Sequence, residues 1–173
     1  MVNRAIFLDR DGVINKPIVR NGKPYAPRKF DDFILLPDVE LAINEMVRMG
    51  FLVFVVTNQP DIGNGLVEKN EINKMHELIR KFPINQIYMC PHSQTDLCNC
   101  RKPKPGMILR ARDEHDLLLE KSYFIGDRKT DMEAAFNAGC LSVFIDYKYP
   151  ETIDVEADYI CNTIMQAVDY IKY

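Results

Sequence analysis

Ala5-Ile6-Phe7-Leu8-Asp9-Arg10-Asp11-Gly12 decides the fold. Four apolar residues run into two aspartates one residue apart, and a glycine follows. An unbroken apolar run of this kind reads as a strand buried on both faces, as in the middle of a parallel sheet. Ligands of such sheets bind beyond the carboxyl ends of the strands, so Asp9 and Asp11 are expected at a rim that a ligand reaches. Residues i and i+2 share one strand face, and the two carboxylates can turn toward a common point. Carboxylates that close repel unless a cation or a shared proton compensates. A hard cation, Mg2+ above all, suits oxygen ligands. Gly12 lets the chain turn sharply away.

Working outward, further apolar runs at 51–56, 86–89, 123–125 and 141–146 read as strands. Helices are expected from Pro37-Asp38 to Gly50, over 68–81, 106–115 and 130–139, and from about 163 to 172. The first presents Leu41, Ala42, Ile43, Met46 and Val47 as an apolar face, the second Ile72, Met75, Leu78 and Ile79. His76 reads as a surface or half-buried residue of the second helix, and His115 as structural, near a helix end. Strands alternating with helices predict right-handed βαβ units. The fold class is therefore α/β, a Rossmann-like parallel sheet sandwiched by helices, with residues 1–173 as one domain. The proline-punctuated stretch 16–36 reads as a long loop draped over the site, with Tyr25, Arg28 and Lys29 as its ligand-facing groups.

The bulk properties narrow the function classes. Of 173 residues, 47% are apolar and 27% charged, an ordinary globular balance. A net charge of −3 without a basic stretch argues against nucleic acid as a partner. No apolar segment approaches membrane-spanning length and no secretion signal is recognised, so a cytoplasmic monomer without a membrane partner is expected. The lead-in Met1-Val2-Asn3-Arg4 is expected to run straight into the first strand.

Cys90-Pro91-His92 and Cys98-Asn99-Cys100 place three thiols and an imidazole within eleven residues. Zinc takes four such ligands tetrahedrally. With all four positions filled by Cys90, His92, Cys98 and Cys100, the Zn2+ is expected to be structural and to order a loop without a core of its own. That loop leads into Arg101-Lys102-Pro103-Lys104-Pro105. Cys140 and Cys161 read as ordinary buried residues.

Asp9, Asp11, Thr57, Arg101, Lys102 and Asp127 all follow strand ends or the zinc loop on one rim. The Thr57 hydroxyl and the N–H groups after it suit a phosphate oxygen. Carboxylates, cations and a threonine together suit phosphoryl chemistry. A carboxylate at ~4 Å from a phosphate faces about 4 kcal/mol of repulsion per charge pair at an effective dielectric of ~20. A divalent cation and Lys102 offset that.

Asp-x-Asp-Gly at 9–12, Thr57, Lys102 and Gly-Asp-x-x-x-Asp at 126–131 resemble the four motifs of the haloacid dehalogenase superfamily of phosphatases. The zinc loop and the Arg-Lys-Pro-Lys-Pro-Gly that follows resemble its heptose-bisphosphate and histidinol-phosphate phosphatase branch. Asp-Arg-Asp-Gly-Val-Ile-Asn at 9–15 is closer to the heptose enzymes. The resemblance implies a magnesium-dependent sugar-phosphate phosphatase without a large cap domain. Asp9 is then the nucleophile and Asp11 the general acid and base. Thr57 and Lys102 stabilise the transferring group. The Asp9 carboxylate, the Asp11 carbonyl and Asp127 hold Mg2+, and Asp131 braces the Asp127 loop. Arg10, Tyr25, Asn58, Gln59 and Arg101 face a phosphorylated small-molecule substrate, Arg101 through its planar fork. The alternatives are a histidinol-phosphate phosphatase, favoured by the short gap from His92 to Cys98, and a non-catalytic zinc-stapled binding module. Arg128 stands where the heptose enzymes carry lysine, and Ile62-Gly63-Asn64-Gly65 lacks the arginine usual before its last glycine.

Overall fold

The computed structural model describes residues 3–150 and 154–172. Met1 and Val2, with the expectation placed on them, lie outside the described residues. The sheet is built from β1 (Ala5–Leu8), β4 (Leu52–Asn58), β5 (Gln86–Cys90), β6 (Tyr123–Gly126), β7 (Leu141–Ile145) and β8 (Tyr159–Cys161). Their order is β5-β4-β1-β6-β7-β8, and every neighbouring pair is parallel. β1 is central and fully buried, as its apolar run requires. The chain winds from β1 through β4 to β5 on one side, then returns to β6, β7 and β8 on the other. The direction of winding therefore reverses beside β1, where an open α/β sheet offers a crevice.

The two faces of the sheet follow the period-two alternation of strand side chains. On one face Ile6, Leu8, Val53, Val55, Ile125 and Val143 pack under α1 (Val39–Arg48), α3 (Lys69–Ile79) and α6 (Ile164–Lys172). On the other, Phe7 stacks between Phe54 and Phe124 at centroid distances of 5.6 and 6.4 Å. That face lies under α4 (Gly106–His115) and α5 (Lys129–Ala138).

Several expectations change. β4 runs to Asn58, so Thr57 and Asn58 belong to the strand's end rather than to a turn beyond it. α1 starts at Val39, and its buried face is Val39, Ala42, Ile43 and Met46, while Leu41 and Val47 are exposed. Val39 takes the inward position once the helix starts one turn position later than Pro37 implies. The stretch 16–36 is not a plain loop. It contains an antiparallel hairpin, β2 (Ile18–Arg20) with β3 (Lys23–Tyr25), and a 3-10 turn at Phe30–Asp32. That hairpin lies between β1 and α1, and no large cap is present among the described residues. A four-residue helix, α2 (Pro60–Gly63), and the edge strand β8 were not anticipated. No helix among the described residues is long and apolar enough to cross a membrane.

Candidate active site

Three strand ends and one loop converge beside β1. The chain leaves β1 at Asp9 and turns at Gly12, which adopts φ +97°. A Cβ there would sit 2.0 Å from Asp127 Oδ2, so glycine is required both by the backbone and by the Asp127 carboxylate packed against it. The Tyr147 hydroxyl donates to the Gly12 carbonyl at 2.8 Å and pins the turn from the far side.

Lys102 reaches the same point from the loop after the cysteine cluster. Its ammonium lies 2.7 Å from both Asp9 Oδ1 and Asp131 Oδ1, and donates to the Val56 carbonyl at 2.9 Å. Its main chain is held by Asn58, whose side-chain nitrogen donates to the Lys102 carbonyl (3.2 Å) and whose oxygen accepts from the Lys102 N–H (3.1 Å). Burial disfavours the Lys102 charge, but Asp131 and Asp9 outweigh it and hold the ammonium above its ordinary range. Burial, with Asp131 and Asp11 adding to it, pushes the Asp9 carboxyl up against the pull of Lys102. Burial, with Asp9 and Asp131 adding to it, raises Asp127 well above the carboxylate range.

Asp9, Asp127 and Asp131 each offer a carboxylate oxygen within 4.8 Å of the others, and all three are buried. Both Asp127 oxygens lack a hydrogen-bond partner, at 1% residue exposure. Three buried carboxylates against one ammonium leave uncompensated negative charge, the environment that a divalent cation fits. Asp131 differs from Asp127: its Oδ2 accepts the Arg128 N–H at 3.1 Å and caps the start of α5. That agrees with a bracing part for Asp131.

The Asp11 carboxylate lines the same cleft as Asp9 but has its own set of partners. Arg10 grips it through Nε (3.2 Å to Oδ2) and Nη2 (3.0 Å to Oδ1), Asn15 donates to Oδ1 at 3.0 Å, and Gln59 to Oδ2 at 2.8 Å. Gln59 also donates to Thr57 Oγ1 at 2.9 Å. Arg10 and Gln59 are 0% and 1% exposed. Their side chains serve the aspartate and the threonine, and neither is among the residues that wall the cleft. Thr57 is likewise fully buried.

The open cleft above has a volume of about 280 Å3 and is walled by Asp9, Asp11, Tyr25, Arg101, Lys102 and Arg128, among others. Tyr25 and Arg101 line the cleft, and Arg101 Nη1 is buried without a hydrogen-bond partner. Arg128 donates from Nη1 to the Pro24 carbonyl at 3.2 Å, tying β3 to the cleft. Arg28 instead pairs with Asp61 at 2.7 Å, and Lys29 precedes the 3-10 turn; neither lines the cleft. Asn15, Tyr147 and His76 are the residues of this region that sequence reasoning missed. His76 was expected as a surface or half-buried helix residue and is buried at 4% exposure, facing Arg10. Nothing local in the sequence signals His76 or Tyr147, because both act through partners distant along the chain, whereas Asn15 is only four positions from its partner Asp11.

The cysteine cluster is assembled at the end of β5. Cys90 Sγ lies 3.8 Å from Cys98 Sγ and 3.4 Å from His92 Nδ1, which is 3.2 Å from Cys100 Sγ. A tetrahedron with Zn–S bonds of about 2.3 Å has S–S edges of about 3.8 Å, so the donor set fits zinc. None of the cysteines forms a disulfide. The loop is seated closely on α4: a Cβ on Gly106 would come within 2.2 Å of the Asn99 carbonyl oxygen.

Comparison with known proteins agrees with this arrangement. A family model described as HAD-hydrolase-like matches residues 99–167. The chain is 32% identical to a D-glycero-beta-D-manno-heptose-1,7-bisphosphate 7-phosphatase of Helicobacter pylori, covering 98% of each chain. It is 35% identical to the protein of that name from Escherichia coli, over 97% of this chain and 93% of the other. It is 38% identical to the D-glycero-alpha-D-manno-heptose-1,7-bisphosphate 7-phosphatase of Campylobacter jejuni, over 80% and 79%. Among solved structures, the D,D-heptose 1,7-bisphosphate phosphatase of B. bronchiseptica, complexed with magnesium and phosphate, superposes with a TM-score of 0.86 at 27% identity, over 98% of both chains. The chain therefore belongs to the haloacid dehalogenase-like hydrolases, in the family of the heptose-1,7-bisphosphate 7-phosphatases.

Proposed function

We propose that the protein is a magnesium-dependent phosphatase that removes the 7-phosphate of D-glycero-D-manno-heptose 1,7-bisphosphate. The observation that carries the reading is the Lys102 ammonium held at 2.7 Å from Asp9, beside an Asp127 carboxylate with no hydrogen-bond partner. Asp9 attacks phosphorus, and the bond from phosphorus to the sugar oxygen breaks. Asp11 gives its proton to the leaving alkoxide, then takes one from the water that attacks the aspartyl phosphate. Inorganic phosphate leaves and Asp9 is regenerated. Lys102 and the Thr57 hydroxyl hold charge on the transferring oxygens. Arg101 and Tyr25 take the remainder of the substrate, Arg101 through the bidentate geometry that suits a second phosphate.

Asp9, Asp127 and the Asp11 carbonyl would hold Mg2+, which supplies positive charge against both the carboxylates and the phosphoryl group. Cys90, His92, Cys98 and Cys100 would hold a structural Zn2+ that keeps Arg101 and Lys102 in register. The continuous six-stranded sheet supports reading residues 1–173 as one catalytic domain. The relatives are named for both the beta and the alpha anomer. Turnover of both anomers and of histidinol phosphate, measured with Mg2+ on one preparation, tests the assignment. A kcat/KM for the heptose bisphosphate at least about a hundredfold above histidinol phosphate is expected. Preference for histidinol phosphate would overturn the substrate, and full activity of Asp9→Asn would overturn the chemistry.

A further inference from the structure

His76 sits on the inner face of α3, whose other buried residues, Ile72, Met75 and Ile79, are apolar. Its Nε2 lies 3.4 Å from Nη1 of Arg10, 66 residues away, and Arg10 is the largest fully buried side chain. A guanidinium can only donate, so His76 Nε2 is the acceptor and carries no proton. The ring faces Arg10 from the β1 loop and Arg80 from its own helix, with Asp11 beyond Arg10. The other edge of Arg10 is the fork that grips both oxygens of Asp11. The guanidinium is planar and rigid, so an acceptor fixing Nη1 also fixes the direction of Nε and Nη2.

We propose that His76 is a positioning residue for the Asp11 carboxylate, acting through Arg10. Resting on the reading of Asp11 as proton donor and acceptor, this goes beyond it by naming what aims that group. A ring that merely filled space on an apolar face would be replaceable by a side chain of similar volume. A ring that anchors Arg10 is replaceable only by another acceptor. Without one, Nη1 becomes a buried donor lacking a partner, the fork turns to find one, and Asp11 loses its aim at the leaving oxygen.

The test compares His76→Leu, which has no acceptor, with His76→Gln, whose amide oxygen is one. Each is made in the wild-type and Asp11→Asn backgrounds and assayed on the heptose bisphosphate with saturating Mg2+, alongside thermal melts. His76→Leu is expected to lower kcat about tenfold to a hundredfold with KM changed less than about twofold. His76→Gln should recover most of that loss. In the Asp11→Asn background, His76→Leu should have no further effect, because the two act as one unit. Equal losses for Leu and Gln, a loss seen only in KM, or the same loss in both backgrounds would each overturn the proposal. If Asp11→Asn alone leaves kcat unchanged, the reading of Asp11 fails, a separate outcome from failure of the His76 link. Should His76→Leu not fold, His76→Phe supplies a ring without an acceptor and is judged by the same outcomes.

Discussion

Lys102 Nζ lies 2.7 Å from Asp9 Oδ1, although the two residues are 93 positions apart and belong to different loops. The same ammonium touches Asp131 on α5. One buried cation thus ties together the end of β1, the first turn of α5 and the loop that follows the cysteine cluster.

Replacing Lys102 by Met keeps the length of the side chain and removes its charge. Asp9 and Asp131 then lose their shared counter-ion in a buried place. Breaking a buried pair in this way costs about 3–5 kcal/mol, and the transferring group loses a stabilising cation. We expect kcat to fall at least about a hundredfold. Denaturant melts in EDTA should show the stability loss, and adding Mg2+ should restore part of it.

Gly12→Ala sets a methyl group against Asp127 Oδ2 in a backbone conformation that alanine resists. The carboxylate must swing out of the Asp9–Asp127–Asp131 cluster. The Mg2+ concentration for half-maximal activity is expected to rise at least about tenfold, while circular dichroism still reports a folded protein. An unchanged Mg2+ requirement would separate Asp127 from cation binding.

Purified protein should carry about one zinc per chain by elemental analysis. Cys98→Ser, or a strong chelator, is expected to lower Tm by about 5 °C or more. Activity should fall with it, because Arg101 and Lys102 follow Cys100 directly. Full activity after complete zinc removal would show that the loop holds its register unaided.

Burial, then Arg10 and Arg80, push the His76 pKa down to about 4 from an ordinary 6.5. Between those values the unfolded chain binds a proton that the folded chain refuses. Stability therefore falls as pH falls from 6.5 toward 4, by up to about 1.4 kcal/mol per pH unit, and His76 contributes no slope above 6.5. His76→Gln removes this component. Urea melts at pH 7.5, 6 and 5 should show the wild type losing stability relative to the variant as pH falls. A difference independent of pH would refute the neutral buried ring.

Local spacing in the chain carried the βα alternation, the strand that ends at Asp9, and the Cys-x-His and Cys-x-Cys pairs. Each is a property of neighbouring residues: a period of two or 3.6, a run of apolar side chains, ligands a few positions apart. The inward face of α1 was misjudged at Leu41 and Val47, because which side of an amphipathic helix is covered depends on α6 and β4, far along the chain. Tertiary contact alone turned Arg10 and Gln59 inward from the cleft, seated His76 against Arg10, and brought the Tyr147 hydroxyl to Gly12. An arginine or histidine in a sequence has no mark of being dry. Its burial is set by partners tens of residues away, and those partners decide whether its charge faces a ligand or aims another side chain.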